Sequence, residues 1–197
     1  MKLIWPEPPA DVQKALKAGV PGFLMPNDPL APLAAAINPA AGPTTQKVFW
    51  ADAGVVGSTE PLTEVALPAG WRFLARDGKN MVAAYVSVDL DGPRVTSVSF
   101  GSKLRRYFDA TSELVAVAAG LPEGDVTVRV LNIPCLLTEV FWCTADASGQ
   151  EWVVPISSLT PELSGSLTSQ QFQASAGEEA RRRLESDEKL RYGKPLA

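Results

Sequence analysis

The chain has 197 residues, 46% of them apolar, which is enough for one sizeable hydrophobic core and short for two, so one domain with tails is expected. With 18 lysines and arginines against 22 acidic residues the formal net charge is −4, so no global positive field draws a phosphate backbone and no nucleic-acid partner is expected. The chain holds no histidine, which excludes Ser/His/Asp and Cys/His nucleophiles in their usual form, histidine-ligated zinc and the common physiological pH switch.

At the start, Met1 to Trp5 meets Pro6 before any apolar run of signal-peptide length develops. No stretch is long enough to span a bilayer, so no membrane partner and a cytoplasmic location are expected. Pro8 and Pro9 before Asp11, Val12, Ala15 and Leu16, with Gly19 after them, predict a short helix started by proline and stopped by glycine. A second is predicted from Asn27 or Asp28 through Pro29 and Leu30 to Ile37, ending at Asn38 and Pro39. Residues 1–45 thus read as a proline-rich segment with two short helices packed on the main body.

The body spans 46–158. Val48 to Trp50 reads as a strand ended by Gly54, Gly57 and Ser58. Trp71 to Arg76 and Met81 to Val88 flank Asp77-Gly78, a hairpin signature, and a second turn over Asp89 to Pro93 leads into Val95 to Phe100. From Ser102 the period lengthens: Leu104, Tyr107, Phe108, Thr111, Val115 and Ala118 fall on one helical face, predicting a long helix, Ser102 to Ala119, closed by Gly120 and Pro122. After a Glu123-Gly124 turn, Val126, Val128 and Val130 alternate with polar residues. Leu136 to Cys143 is apolar almost throughout, as in a strand covered on both faces with Phe141 and Trp142 on opposite sides, and Glu151 to Ile156 completes a hairpin. Residues 159–197 read as a polar linker, where packing stops, and a charged helix or tail over Glu178 to Lys194.

The most anomalous constellation is Gly101-Ser102-Lys103-Leu104-Arg105-Arg106, which sets three cations against the positive end of a helix dipole. Backbone N–H groups with Ser102, Lys103, Arg105 and Arg106 suit a small anionic ligand, phosphate or carboxylate, and would require a concave pocket at that helix start. The plainer reading is a solvated face with Arg105 paired to Asp109. The upstream glycine spacing of a phosphate-binding loop is missing.

Cys135 and Cys143, eight positions apart in an extended stretch, would sit about 26 Å apart at roughly 3.3 Å per residue, so free thiols are expected, packed as small hydrophobes. Asp89, Asp91, Asp146 and Glu151 fall at hairpin turns where aspartate serves the backbone, and no metal or cofactor is expected.

These readings combine into an α+β domain: an antiparallel or mixed sheet of six or seven strands, one long helix packed on it, and short N-terminal helices. The functional expectation is a non-catalytic binding or accessory protein with a protein partner or self-association. The alternative is an enzyme or carrier for a small anionic ligand at the helix start. Nucleic-acid binding would need Arg72, Arg76 and Arg129 to join those cations in one stripe.

Overall fold

The computed structural model describes residues 2–25, 27–52, 56–58, 60–119, 124–158, 163 and 166–192, with 187–192 described by backbone alone. The strands are β1 (Lys2–Ile4), β2 (Thr45–Trp50), β3 (Leu67–Asp77), β4 (Asn80–Asp89), β5 (Gly92–Phe100), β6 (Asp125–Ile133), β7 (Thr138–Ala145), β8 (Glu151–Ser157) and β9 (Leu167–Thr168). The helices that position the site are α1 (Ala10–Gly19), α2 (Ala31–Ala35), α3 (Leu62–Val65), α4 (Arg105–Ala118) and α5 (Ser169–Tyr192). The class is α+β. One nine-stranded sheet runs β5-β4-β3-β2-β6-β7-β8-β9, with β1 also on β6. It is mixed, because β1 and β2 pair with β6 in parallel while the other pairings are antiparallel.

The two strands beyond the expected seven are β1 and β9, three and two residues long, too short to show any periodicity. The other strands follow from local chemistry. β3 and β4 close on Asp77↔Asn80 with Gly78 at φ +57, a conformation glycine adopts without steric cost. The expected strand over Leu136 to Cys143 begins later: Pro134–Leu136 form a 3₁₀ turn, Leu137 is left-handed at φ +51, and β7 starts at Thr138. Gly54, Gly120, Pro122, Glu123 and Lys194 lie outside the described residues.

One face of the sheet packs Val128, Val130, Phe141, Cys143 and Val154 against α4. The buried stripe of this helix is Tyr107, Ala110, Leu114 and Ala118, and Val115 is 55% exposed. Leu104, Tyr107 and Phe108 of the expected face do pack on this core and Ala118 is buried; the correction is at Val115, which is turned outward while Ala110 and Leu114 approach the sheet. Ser102–Leu104 form a 3₁₀ turn that leads into the helix at Arg105.

The opposite face is covered in two parts. α1 and α2 bury Val12, Leu16 and Ala34 on Trp71, Phe73 and Val86. α5 buries Phe172, Ala176 and Ala180 on Leu131, Val140, Trp142 and Val153. Phe141 and Trp142 therefore do point to opposite faces. A single long helix is not what forms: α5 starts at Ser169, well before Glu178, and packing continues past Ile156. Its stripe is one phenylalanine and two alanines in a polar segment, which reads as linker until the fold supplies a sheet beneath it. Gly177 crosses the backbone of Gly57, where a Cβ would stand 2.7 Å from the Gly57 Cα.

Candidate functional site

The face that carries α4 is incompletely covered at its β5 end. Cross-strand neighbours share a face, and the register sets Gln46, Arg72, Tyr85 and Ser97 in one row across β2, β3, β4 and β5. A second row holds Trp50, Asn132 and Glu139 across β2, β6 and β7. Polar side chains thus occupy a sheet face that is apolar on either side of them, and the first turn of α4 hangs over them.

Glu139 is the hub. Its carboxylate accepts from Arg72 Nη2, from the Tyr107 hydroxyl at 2.8 Å, and from Arg106 Nη2 at 3.5 Å. Arg106 Nη2 also donates to Tyr107 Oη at 2.9 Å. The guanidiniums of Arg72 and Arg106 lie 4.3 and 4.9 Å from the centroid of the Tyr107 ring, within cation–π range. The side chains of Arg72 and Glu139 are only 10% and 11% exposed, so this is a buried ion pair held by further hydrogen bonds, as such a pair requires.

Beside it opens a cavity of about 280 Å³, lined among others by Trp50, Arg72, Tyr85, Ser97, Tyr107 and Asn132. Two polar atoms of this lining, Arg72 Nη1 and Tyr85 Oη, are buried without a hydrogen-bond partner. Buried polar groups are nearly always satisfied, so two such atoms on one cavity wall are an exception. Burial pushes the Tyr85 and Tyr107 phenols above their usual range; Arg72 pulls them back and Glu139 adds to the rise. Both therefore keep their protons at neutral pH; Tyr107 donates its proton to Glu139, and that of Tyr85 has no acceptor among the described residues. The rim bears two exposed apolar side chains side by side, Trp50 and its cross-strand neighbour Leu67, 49% and 69% exposed.

Of the residues expected to bind an anion, only Arg106 joins this cluster, through Tyr107 and Glu139. Ser102, Lys103 and Arg105 are exposed and outside the cavity lining. The 3₁₀ turn also occupies two amides of the helix entry, with Leu104 N donating to Gly101 O and Arg105 N to Ser102 O. Among the described residues Arg105 and Asp109 form no ion pair. The concavity lies on the inner side of that turn, at Leu104 and Tyr107.

Sequence reasoning weighs Arg72 only as part of a cationic stripe and passes over Glu139 as part of an apolar run. The available signal is that each is a lone charge inside a strand, between Trp71 and Leu74 and between Leu136 and Cys143. Arg129 cannot extend a cationic stripe with Arg72, because it stacks on Trp142 on the opposite face.

The turn carboxylates behave locally. Asp89 accepts from the Asp91 amide and pairs with Arg94, and Asp146 accepts from the Thr127 hydroxyl. Glu151 is instead buried, accepting from Trp142 Nε1 and the Leu62 amide. Among the described residues no group of three or more metal-ligating side chains gathers. Both thiols are free and Cys143 is buried in β7, but Cys135 is exposed in the 3₁₀ turn, which corrects its expected packing in an extended stretch. Among the described residues no helix is long and apolar enough to cross a membrane. No family model matches the chain, and no curated protein or solved structure shows significant similarity to it.

Proposed function

We propose that the protein is a non-catalytic binding module whose cavity, between the sheet and the first turn of α4, takes a small anionic ligand on Arg72. The observation that carries this is the partnerless Nη1 of Arg72, a guanidinium buried at the wall of a cavity with phenol, hydroxyl and amide groups around it. Two guanidiniums face one carboxylate there, which leaves one positive charge for a ligand to neutralise. Catalysis is not favoured by the same geometry. Glu139, the carboxylate best placed to act as a base, already accepts from three donors, and the two phenols hold their protons.

The test is a thermal-shift and calorimetric series with small carboxylates and inorganic phosphate on three proteins. The parent and a Lys103→Ala/Arg105→Ala variant should respond alike. A Ser97→Trp variant, which fills the cavity from an exposed position, should not respond. A response lost on removing Lys103 and Arg105 but kept by Ser97→Trp would return the site to the outer helix start and overturn the proposal.

A further inference from the structure

We infer that the ligand is a monocarboxylate with a flat apolar body: the carboxylate on Arg72 and Tyr85, the body against Trp50. This rests on the anion-binding reading above and specifies its chemistry from charge, donor geometry and the rim.

The charge of the site is matched to one negative charge. Arg72 and Arg106 face a single carboxylate, Glu139, which is buried against the cavity and stays engaged with both. A monoanion brings the group to neutrality. A phosphate dianion would leave a net negative charge beside a fixed, buried carboxylate, which Coulomb repulsion disfavours.

The donors fit a planar acceptor. Arg72 Nη2 is taken by Glu139, so Nη1 remains, and Tyr85 stands directly opposite Arg72 across the β3–β4 ladder with its own hydroxyl unpartnered. Two donors from neighbouring strands can serve the two oxygens of one carboxylate. A tetrahedral phosphate would present further oxygens to Val48, Ala83 and Leu104, the apolar part of the same lining.

The apolar body is indicated by the rim. Trp50 lines the cavity yet is 49% exposed, and Leu67 opposite it is 69% exposed. A carboxylate alone would leave both in water. A flat ring leaving the cavity on that side would cover the indole, and Ser97 and Ser99 at the β5 wall are polar enough to orient it.

The experiment uses benzoate, acetate, benzamide and inorganic phosphate as probes, read by calorimetry and tryptophan fluorescence on the parent, Ser97→Trp, Tyr85→Phe and Trp50→Leu proteins. Benzoate should bind and perturb the fluorescence, with benzamide weaker by roughly tenfold or more, because the charge-assisted bonds are lost. Tyr85→Phe should weaken benzoate, and Trp50→Leu should weaken benzoate while leaving the response to acetate unchanged. Phosphate binding more tightly than benzoate, and blocked by Ser97→Trp, would overturn the monocarboxylate assignment while leaving the anion cavity standing. Benzoate affinity unchanged in Trp50→Leu would overturn the placement of the apolar body. No binding of any anion by the parent would remove both.

Discussion

Arg72 on β3 and Glu139 on β7 form a buried ion pair over two intervening strands, β2 and β6. Both side chains extend over the sheet face to meet, Arg72 from one side of these two strands and Glu139 from the other. The pair therefore links the β3–β4–β5 and β6–β7–β8 halves of the sheet, and Tyr107 fastens α4 to the same carboxylate.

Removing one member should be much worse than removing both. Arg72→Met or Glu139→Leu alone strands a buried charge and is expected to cost about 3–5 kcal/mol, whereas the double variant should cost clearly less than the sum. Urea unfolding of the four proteins measures the coupling. Additive losses would mean that the two groups are solvated independently.

The helix face can be tested by two adjacent residues. Leu114 is fully buried and Val115 is 55% exposed, so Leu114→Ala should cost about 2–5 kcal/mol and Val115→Glu should stay within about 0.5 kcal/mol. Thermal unfolding would show the contrast, and the reverse ranking would support the stripe the sequence suggests.

Gly177 and Gly57 meet backbone to backbone, with a Cβ at 177 only 2.7 Å from the Gly57 Cα. Gly177→Ala should therefore destabilise by about 1–3 kcal/mol despite its better helix propensity, through forced separation of α5 from the segment beneath it. Gly22→Ala, which meets nothing within 4 Å, is the matched control. Equal stability of the two variants would refute the close crossing.

Cys143 gives the protein an alkaline limit. Burial pushes its thiol from the ordinary 9.0 up to about 12, so the folded chain holds this proton more tightly than the unfolded chain. The contribution is intact below pH 9 and is lost as pH rises toward 12; ionising the thiol in place costs about 4 kcal/mol. Stability should fall across that window, and less steeply in Cys143→Val. In the native protein at pH 8 a thiol reagent should titrate Cys135 and leave Cys143 unmodified until denaturant is added. Prompt reaction of both would contradict the burial of β7.

The parts of the fold legible in sequence are those decided within a few residues. Asp77-Gly78 between two β-rich runs specifies its hairpin, and the change of period at Ser102 specifies a helix, because turn chemistry and periodicity are local. The phase of that helix is less legible: Thr111 and Val115 compete with Ala110 and Leu114 until the sheet decides which side is dry. The cavity is illegible for a different reason. Arg72 and Glu139 are 67 residues apart, and only the strand order brings their rows together. The charge anomaly at Lys103, Arg105 and Arg106 lies at the turn that borders the cavity, but only Arg106 reaches the Glu139 cluster, while Lys103 and Arg105 are exposed outside the lining.

The parallel joint between β2 and β6 has a kinetic consequence. Each half of the sheet contains an antiparallel meander of chain neighbours, β3–β4–β5 and β6–β7–β8, which needs only short loops to form. The seam between them is registered over just Val48↔Val130, Phe49↔Leu131 and Trp50↔Asn132, with some eighty residues between the partners. Loop closure makes such a contact slow to find, so the halves should gain protection from hydrogen exchange first and the seam, with the cavity above it, last.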